Sequence, residues 1–228
     1  MSAPSLALIR LLQVSDTAFP SGAFAFSSGL ETLFNEGRVT TSEGVHAVLA
    51  EQILPRWASF DRVFLHAAHA AADDLGKLSE IDARCHLQSS SDRLAHASRR
   101  IGRSLLSVHA RIGTPGAAAY RSHADQPDLR EARSYEPVMQ GLIGAGLGLN
   151  VTQCELGAVH STCMAFVSAA VRLGRLGAIE AQGLLAATAP RILATLEQPV
   201  PQLAGAFSPF AEIAALRRNT TQAVLFAT

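Results

Sequence analysis

Alanine and leucine recur at spacings of three and four through most of the chain, and strict apolar–polar alternation is hard to find. That period places apolar side chains along one stripe of a helix, and β-branched residues are too sparse to argue for strands. The pattern predicts an all-α fold. Two T/S-x-x-E boxes, Ser28 with Glu31 and Thr40 with Glu43, mark helix starts, since side chain and backbone satisfy each other's unpaired groups there. Gly37 closes the first of these helices. Pro55 fits the first turn of another, which carries Trp57, Phe60, Val63, Phe64 and Ala67 on one broad apolar face. Asp92 is the expected cap of a helix whose buried stripe is Leu94, Ala97, Ile101, Leu105 and Val108.

The stretch between Gly113 and Arg133 has the prolines and charges of a connection or a short helix. After Pro137, the run Gly141, Gly144, Gly146 and Gly148 precedes a third box, Thr152 with Glu155, which opens a helix to about Leu173. From Leu156 to Val171 that helix carries no charge, so it should be central and nearly enclosed. The segment 178–197 reads as a helix kinked or restarted at Pro190. Ser208 and Pro209 pair a cap with a first-turn proline to launch the last one. No repeat or low-complexity tract interrupts the series, so residues 1–228 are expected to form one domain, a bundle of about eight to ten helices.

Composition sharpens this picture. A chain of 228 residues can build a core without disulfides or metals. With 48% hydrophobic and only 17% charged residues, it is not intrinsically disordered and has apolar side chains to spare for an interface. Nineteen basic and nineteen acidic residues cancel, leaving no global field to gather nucleic acid or an anionic membrane. Cys85, Cys154 and Cys163 form no CxxC pair, which suits a reducing compartment. The first residues lack a basic leader before an apolar run, so a cytoplasmic location is expected. Gln140, Asn150, Gln153, Glu155 and His160 make 138–171 a poor membrane span.

Candidate chemistry is thin. Lys77, the sole lysine, is followed by Leu78, so there is no P-loop. The glycine run lacks GxGxxG spacing and a preceding strand, and is read as close helix packing. His66 with His69, and His160 with Cys163, sit three apart and can share a helical face, but two ligands do not make a tight metal site. No metal site and no cofactor are assigned. Neither GxSxG nor HExxH is present. Arg93, Arg100 and Arg103 beside His96 bind phosphate, contact a partner or simply solvate a helix face. Phe19, Phe24 and Phe26 cluster around Pro20, Gly22 and Gly29, a composition for a fixed bend docked into the core or presented for recognition.

From Leu12 and Gln13 through Pro20, Gly22, Phe24, Ser27, Gly29, Leu30 and Glu31, the N-terminal segment resembles the urease accessory protein UreF family. The text RRIGRSLL around Gly102, the run VSAAVRLGRLG with Arg172, Leu176 and Gly177, and the terminal segment from Ser208 look like family segments in the family's order. The resemblance implies an all-α, cytosolic, dimeric and non-enzymatic protein. Its implied partners are UreD (also called UreH), the GTPase UreG and, through them, apo-urease, to which nickel is delivered with GTP hydrolysis in the partner. It assigns partner contacts to Glu31, Arg172, Arg217, Arg218, Thr220, Leu225 and Phe226, and a structural turn to Phe19, Pro20, Gly22, Phe24 and Gly29.

Several polar positions depart from the family pattern. Ala23, Phe24, Ala25 and Phe26 stand where the turn often has a second glycine followed by an aromatic, a serine and a histidine. Arg217, Arg218, Asn219 and Thr220 replace an arginine, histidine, glutamate and threonine series, and Tyr135 replaces a histidine. The packing residues persist, so fold is expected to be kept more strictly than partner specificity. A competing reading from another class is an all-α enzyme handling a small molecule or phosphate on the Arg93, His96, Arg100 and Arg103 face. It requires those groups to converge on a concave pocket.

Overall fold

The computed structural model describes residues 6–23, 26–126 and 134–217, and among them every regular element is helical. Helix α1 (Leu6–Ser15) leads through the proline-glycine turn to α2 (Leu30–Asn35). A continuous rod follows, made of α3 (Ser42–Val48), a π-helical turn (Leu49–Ile53), α4 (Leu54–Arg56), a second π turn (Trp57–Asp61) and α5 (Arg62–Ala70). Then come α6 (Leu75–Leu87), α7 (Asp92–Arg111), α8 (Ala117–Ala124), α9 (Glu136–Gly146), α10 (Val151–Arg172), α11 (Ala178–Glu197) and α12 (Pro209–Leu216). With the rod counted once, the described residues form ten helices, as the periodicity predicts.

The rod corrects the expectation that a helix begins at Pro55. Proline has no N–H and its ring crowds the preceding turn, which normally breaks a helix. Here the turn before it widens, with the Leu54 N–H reaching the Leu49 carbonyl, and the chain passes through unbroken. The second π turn, closed by the Arg62 N–H on the Trp57 carbonyl, brings Arg56 and Asp61 into an ion pair five residues apart. In a regular α-helix those positions would diverge around the axis.

Several caps also lie one or two residues from the expected places. Gly29, not Ser28, precedes α2, and Ser28 itself adopts a positive φ with no capping bond. Thr41, not Thr40, accepts the Gly44 N–H, and Ser91, not Asp92, accepts the Leu94 N–H. The box at α10 is Asn150 with Gln153, bonded reciprocally at 2.9 and 3.0 Å, rather than Thr152 with Glu155. Gly37 does close α2, at φ 65° with Arg38 N–H returning to the Leu33 carbonyl. Pro190 lies inside an unbroken α11, and the 113–133 segment contains the short α8.

Helix α9 is the axle, pressed by α5 on one side and α7 on the other. At Gly141 an added Cβ would lie 2.4 Å from the Leu65 carbonyl oxygen, so the α5 and α9 backbones touch. At Gly144 and Gly146 the same atom would lie 2.4 Å from Cys154 Sγ and 2.3 Å from the Pro115 carbonyl oxygen. The glycine run is therefore a packing surface, apart from Gly148, whose positive φ serves the turn into α10. Helix α10 is central but not enclosed, since Leu156 and His160 face solvent. It is the one helix among the described residues long and apolar enough to cross a membrane, and most of it is spent on the bundle's core.

Gly102 explains the RRIGRSLL segment: a Cβ there would stand 2.0 Å from the Ser134 carbonyl oxygen, where the chain crosses α7 to begin α9. Gly102→Val should therefore destabilise the protein by at least the ~1–3 kcal/mol typical of overpacking. Gly183→Ala, in an exposed part of α11 with nothing within 4 Å, should instead stabilise by ~0.5–1 kcal/mol. Urea unfolding midpoints of both variants test this, and a Gly102→Val protein as stable as wild type would contradict the close crossing.

Candidate functional site

The N-terminal turn is docked into the core at one residue and open at the next. Phe19 is buried and stacks on the His109 ring at 5.2 Å, while the Ser104 hydroxyl donates to the Pro20 carbonyl at 2.7 Å. Gly22, at φ 77°, has no neighbour that a side chain would meet, so the left-handed backbone alone selects glycine. Gly29 needs both: its φ is 85°, and a Cβ would lie 2.4 Å from the Ala211 carbonyl oxygen of α12. Phe26 is buried beneath the Arg100 guanidinium, 5.8 Å from the ring centroid. Phe24 lies outside the described residues.

Helix α12 is held at both ends. Its first orphan N–H, on Phe210, finds Gln52 Oε1 at 3.1 Å, and Arg93 donates to the Ala215 carbonyl at 2.9 Å near its negative end. Glu212 accepts from Ser90 and Ser208 at 3.2 and 3.1 Å and lies 3.9 Å from Arg56. Across the molecule, Arg62 binds Glu155 at 3.0 Å and donates to the carbonyls of Thr195, Leu196 and Gln198 at 2.9 to 3.0 Å. Asp82, fully buried, accepts from the N–H groups of Ser134 and Tyr135 at 2.6 and 2.8 Å and from the Tyr120 hydroxyl. That anchor holds Ser134 at a positive φ where the chain enters α9.

Three helices carry exposed large apolar side chains. On α12 the alanines Ala211, Ala214 and Ala215 face in, while Phe210, Ile213 and Leu216 are exposed beside Phe207, itself 78% exposed. On α11, Ile179 is 90% exposed and Leu193 also faces solvent. On α1, Leu6, Leu8, Ile9 and Leu12 are exposed, and no residue of that helix is fully buried. On α12 alanines meet the core while the larger apolar side chains are left in water, the pattern expected of a contact surface.

Of the residues assigned to partner contacts, Glu31 is buried in the first turn of α2. Arg172 is exposed at the end of α10, which packs against α2. Partial burial lowers the Arg172 pKa. Arg217 is exposed where α12 ends, 4.0 Å from Glu36, an ion pair too open to contribute much. Arg218, Thr220, Leu225 and Phe226 lie outside the described residues. The competing phosphate face does not converge: Arg93 is engaged by α12, Arg100 rests on Phe26, and His96 and Arg103 are exposed. Cys163 is buried while His160 is exposed, and His69 Nε2 is taken by the Leu149 carbonyl at 2.8 Å.

Sequence reasoning missed the Arg62–Glu155 and Asp82 clusters and two further polar centres, because the groups around each come from distant parts of the chain. One joins His86 and Arg99 to the Tyr135 hydroxyl at 2.8 and 3.2 Å, at the position where the family resemblance expects a histidine. The other surrounds Glu136 and Gln140 on α9, which border a cavity of about 70 Å3 beneath α1 and another of about 120 Å3 beneath α12.

Comparison with known proteins gives the family. The UreF family model matches residues 39–189. A protein of Cereibacter sphaeroides strain ATCC 17023, described as urease accessory protein UreF, is 33% identical over 98% of this chain and its own full length. A protein of the same description from Rhodopseudomonas palustris strain BisB18 is 31% identical over 85% of this chain and 79% of its own. One from Trichodesmium erythraeum is 27% identical over 96% of each. The chain belongs to the UreF family of urease accessory proteins.

His109 gives the turn a pH signature. Burial pushes its imidazole down to about 4, and Thr114 Oγ1 sits 2.8 Å from Nδ1. The unfolded chain binds a proton that the folded one refuses, so this contribution is intact above pH about 6.5 and is lost as pH falls toward about 4. Wild type should lose up to ~1.4 kcal/mol per pH unit within that window, and His109→Gln should lose less. Chemical unfolding between those limits measures the difference, and parallel profiles would contradict a buried neutral imidazole beneath Phe19.

Proposed function

We propose that the protein is a non-enzymatic helical scaffold for urease maturation, acting in the cytoplasm as a homodimer and as one unit over residues 1–228. In this reading it joins UreD (UreH) to the GTPase UreG, so that nickel, the cargo, is released toward apo-urease only when the assembly is complete. Bond-making steps belong to the partners, and the scaffold's work is placement. Membership of the UreF family supports the partners. The outward Phe210, Ile213 and Leu216 face of α12 is the observation that carries the scaffold role. The face runs directly into Arg217 and the segment containing Arg218, Thr220, Leu225 and Phe226, which the reading assigns to UreD. Glu31 and Arg172 support the same side from α2 and the end of α10.

Self-association is assigned to α11, where Ile179 and Leu193 stand free of the core. Burying each such side chain is worth about 1.5–3 kcal/mol before the cost of association, so a few of them decide the outcome.

Co-expression with cognate UreD, UreG and urease subunits tests both surfaces. Phe210→Asp with Ile213→Asp should abolish UreD co-purification and urease nickel loading while leaving helicity unchanged. Ile179→Asp with Leu193→Asp should shift the protein from dimer to monomer in size-exclusion chromatography with light scattering. Retained UreD binding by the first variant, or a wild type that is monomeric at high concentration, would contradict the corresponding assignment.

A further inference from the structure

The cavity beneath α1 is walled by Leu11, His109, Ile143, Cys154 and Met164 among others, and the one beneath α12 by Trp57, Arg93, Ile101, Thr162 and Ala211 among others. Both reach Glu136 and Gln140 on one face of α9, and the first continues past them to Ile143 and Leu147. These two side chains sit one helical turn apart, and Gln140 Nε2 donates to Glu136 Oε1 at 3.1 Å. Each is deep in the bundle and still keeps accessible surface, which the cavities supply. We infer that the two cavities are chambers of one water-binding interior, with the Glu136–Gln140 pair as its neck, and that the protonation state of Glu136 sets whether the neck is closed or hydrated.

Room and polarity both suit water. A buried water needs about 10–15 Å3 of such space and two to four polar partners, and each chamber exceeds that volume several-fold. Ser161 borders the first chamber and Ser98 and Thr162 the second, beside the neck's own carboxyl and amide. Asp16 and His109 on the first wall and Arg56, Asp61 and Arg93 on the second add further polar partners.

The charges around the neck favour a neutral carboxyl in the closed form. Asp61 and Arg56 approach from the rod, Arg93 and His109 from α7, Cys154 from α10 and Asp16 from the turn after α1. Glu212 of α12 acts through Arg56. Burial and then the Asp61 charge raise the Glu136 carboxyl to about 8, against the pull of Arg56. His109 stays neutral because burial lowers it, and the Cys154 thiol is pushed up to about 12, so neither offsets a charge at the neck. While protonated, Glu136 accepts from Gln140 and carries no charge to be hydrated. Once the proton passes to bulk water, the carboxylate faces Asp61 in a low-dielectric site and requires hydration, which draws water into the neck.

The full-length protein, labelled with 13C at glutamate carboxyls, tests this by NMR titration from about pH 5 to about pH 10. Crystal structures at the two ends of that range would accompany it. One carboxyl resonance should titrate with a midpoint of about 8 and vanish in Glu136→Gln. The wild-type crystals should show added ordered water between Glu136 and Gln140 at the higher pH, whereas Glu136→Gln should look alike at both. Glutamates that all titrate in their ordinary range would overturn the inference, as would a neck equally hydrated at both pH values. The wild-type titration and crystals decide the matter even if the variant fails to fold.

Discussion

One buried guanidinium ties three separate parts of the bundle together. Arg62, on the core rod, pairs with Glu155 of α10 and also caps the last turn of α11 through three carbonyls. Helix α11 packs chiefly on α10 and leaves most of its surface in water. Its apolar contacts alone would allow it to slide or splay. The directional bonds from Arg62 fix where it ends. A planar five-donor group suits this task, because a lysine ammonium could not serve a carboxylate and three carbonyls in one plane. Burying such a pair costs desolvation energy, so its value lies more in specifying an arrangement than in net stability.

That arrangement governs what the surface can do. Inward positions on α12 are held by alanines and polar clasps, and those on α11 by Ala181, Leu184, Thr188 and Ile192 with the Arg62 clasp, which leaves other apolar side chains to face outward without losing the helices. On α12 the clasps are Gln52, Arg93 and Glu212, and on α11 the clasp is Arg62. A rigid apolar face costs less entropy to dock than a mobile one. The same logic accounts for the turn before α2, where Gly29 lets α12 cross directly over the chain.

Most helices were legible from periodicity, because the apolar stripe of a segment such as α7 is local in sequence. Their ends mostly were not, Gly37 after α2 and the Ser208–Pro209 start of α12 excepted. Clusters such as Thr40, Thr41 and Ser42, or Ser89 through Asp92, offer several capping side chains, and only the backbone angles choose among them. Pro55 misled for a related reason, since two widened turns absorb a residue that ordinarily breaks a helix. The glycine run was read correctly as packing, but its partners on α5, on α10 and in the turn before α8 were not visible. Polar centres were the least legible. Arg62 and Glu155 are 93 residues apart, and Glu136 with Gln140 looks like an ordinary helix-surface pair until α7, α10 and the rod close over it. The pattern of outward phenylalanine and inward alanine on α12 was present in the sequence, but which face was inward depended on the fold.

The role of the Arg62 clamp is most directly tested by amide hydrogen exchange on Arg62→Met combined with Glu155→Leu. Replacing both charges by apolar groups of similar size removes the caps of α11 without stranding a buried ion. The account predicts overall stability close to wild type, with amides in the last turns of α11 exchanging markedly faster while α9 and α10 stay protected. An α11 as protected in the double variant as in the native protein would contradict it.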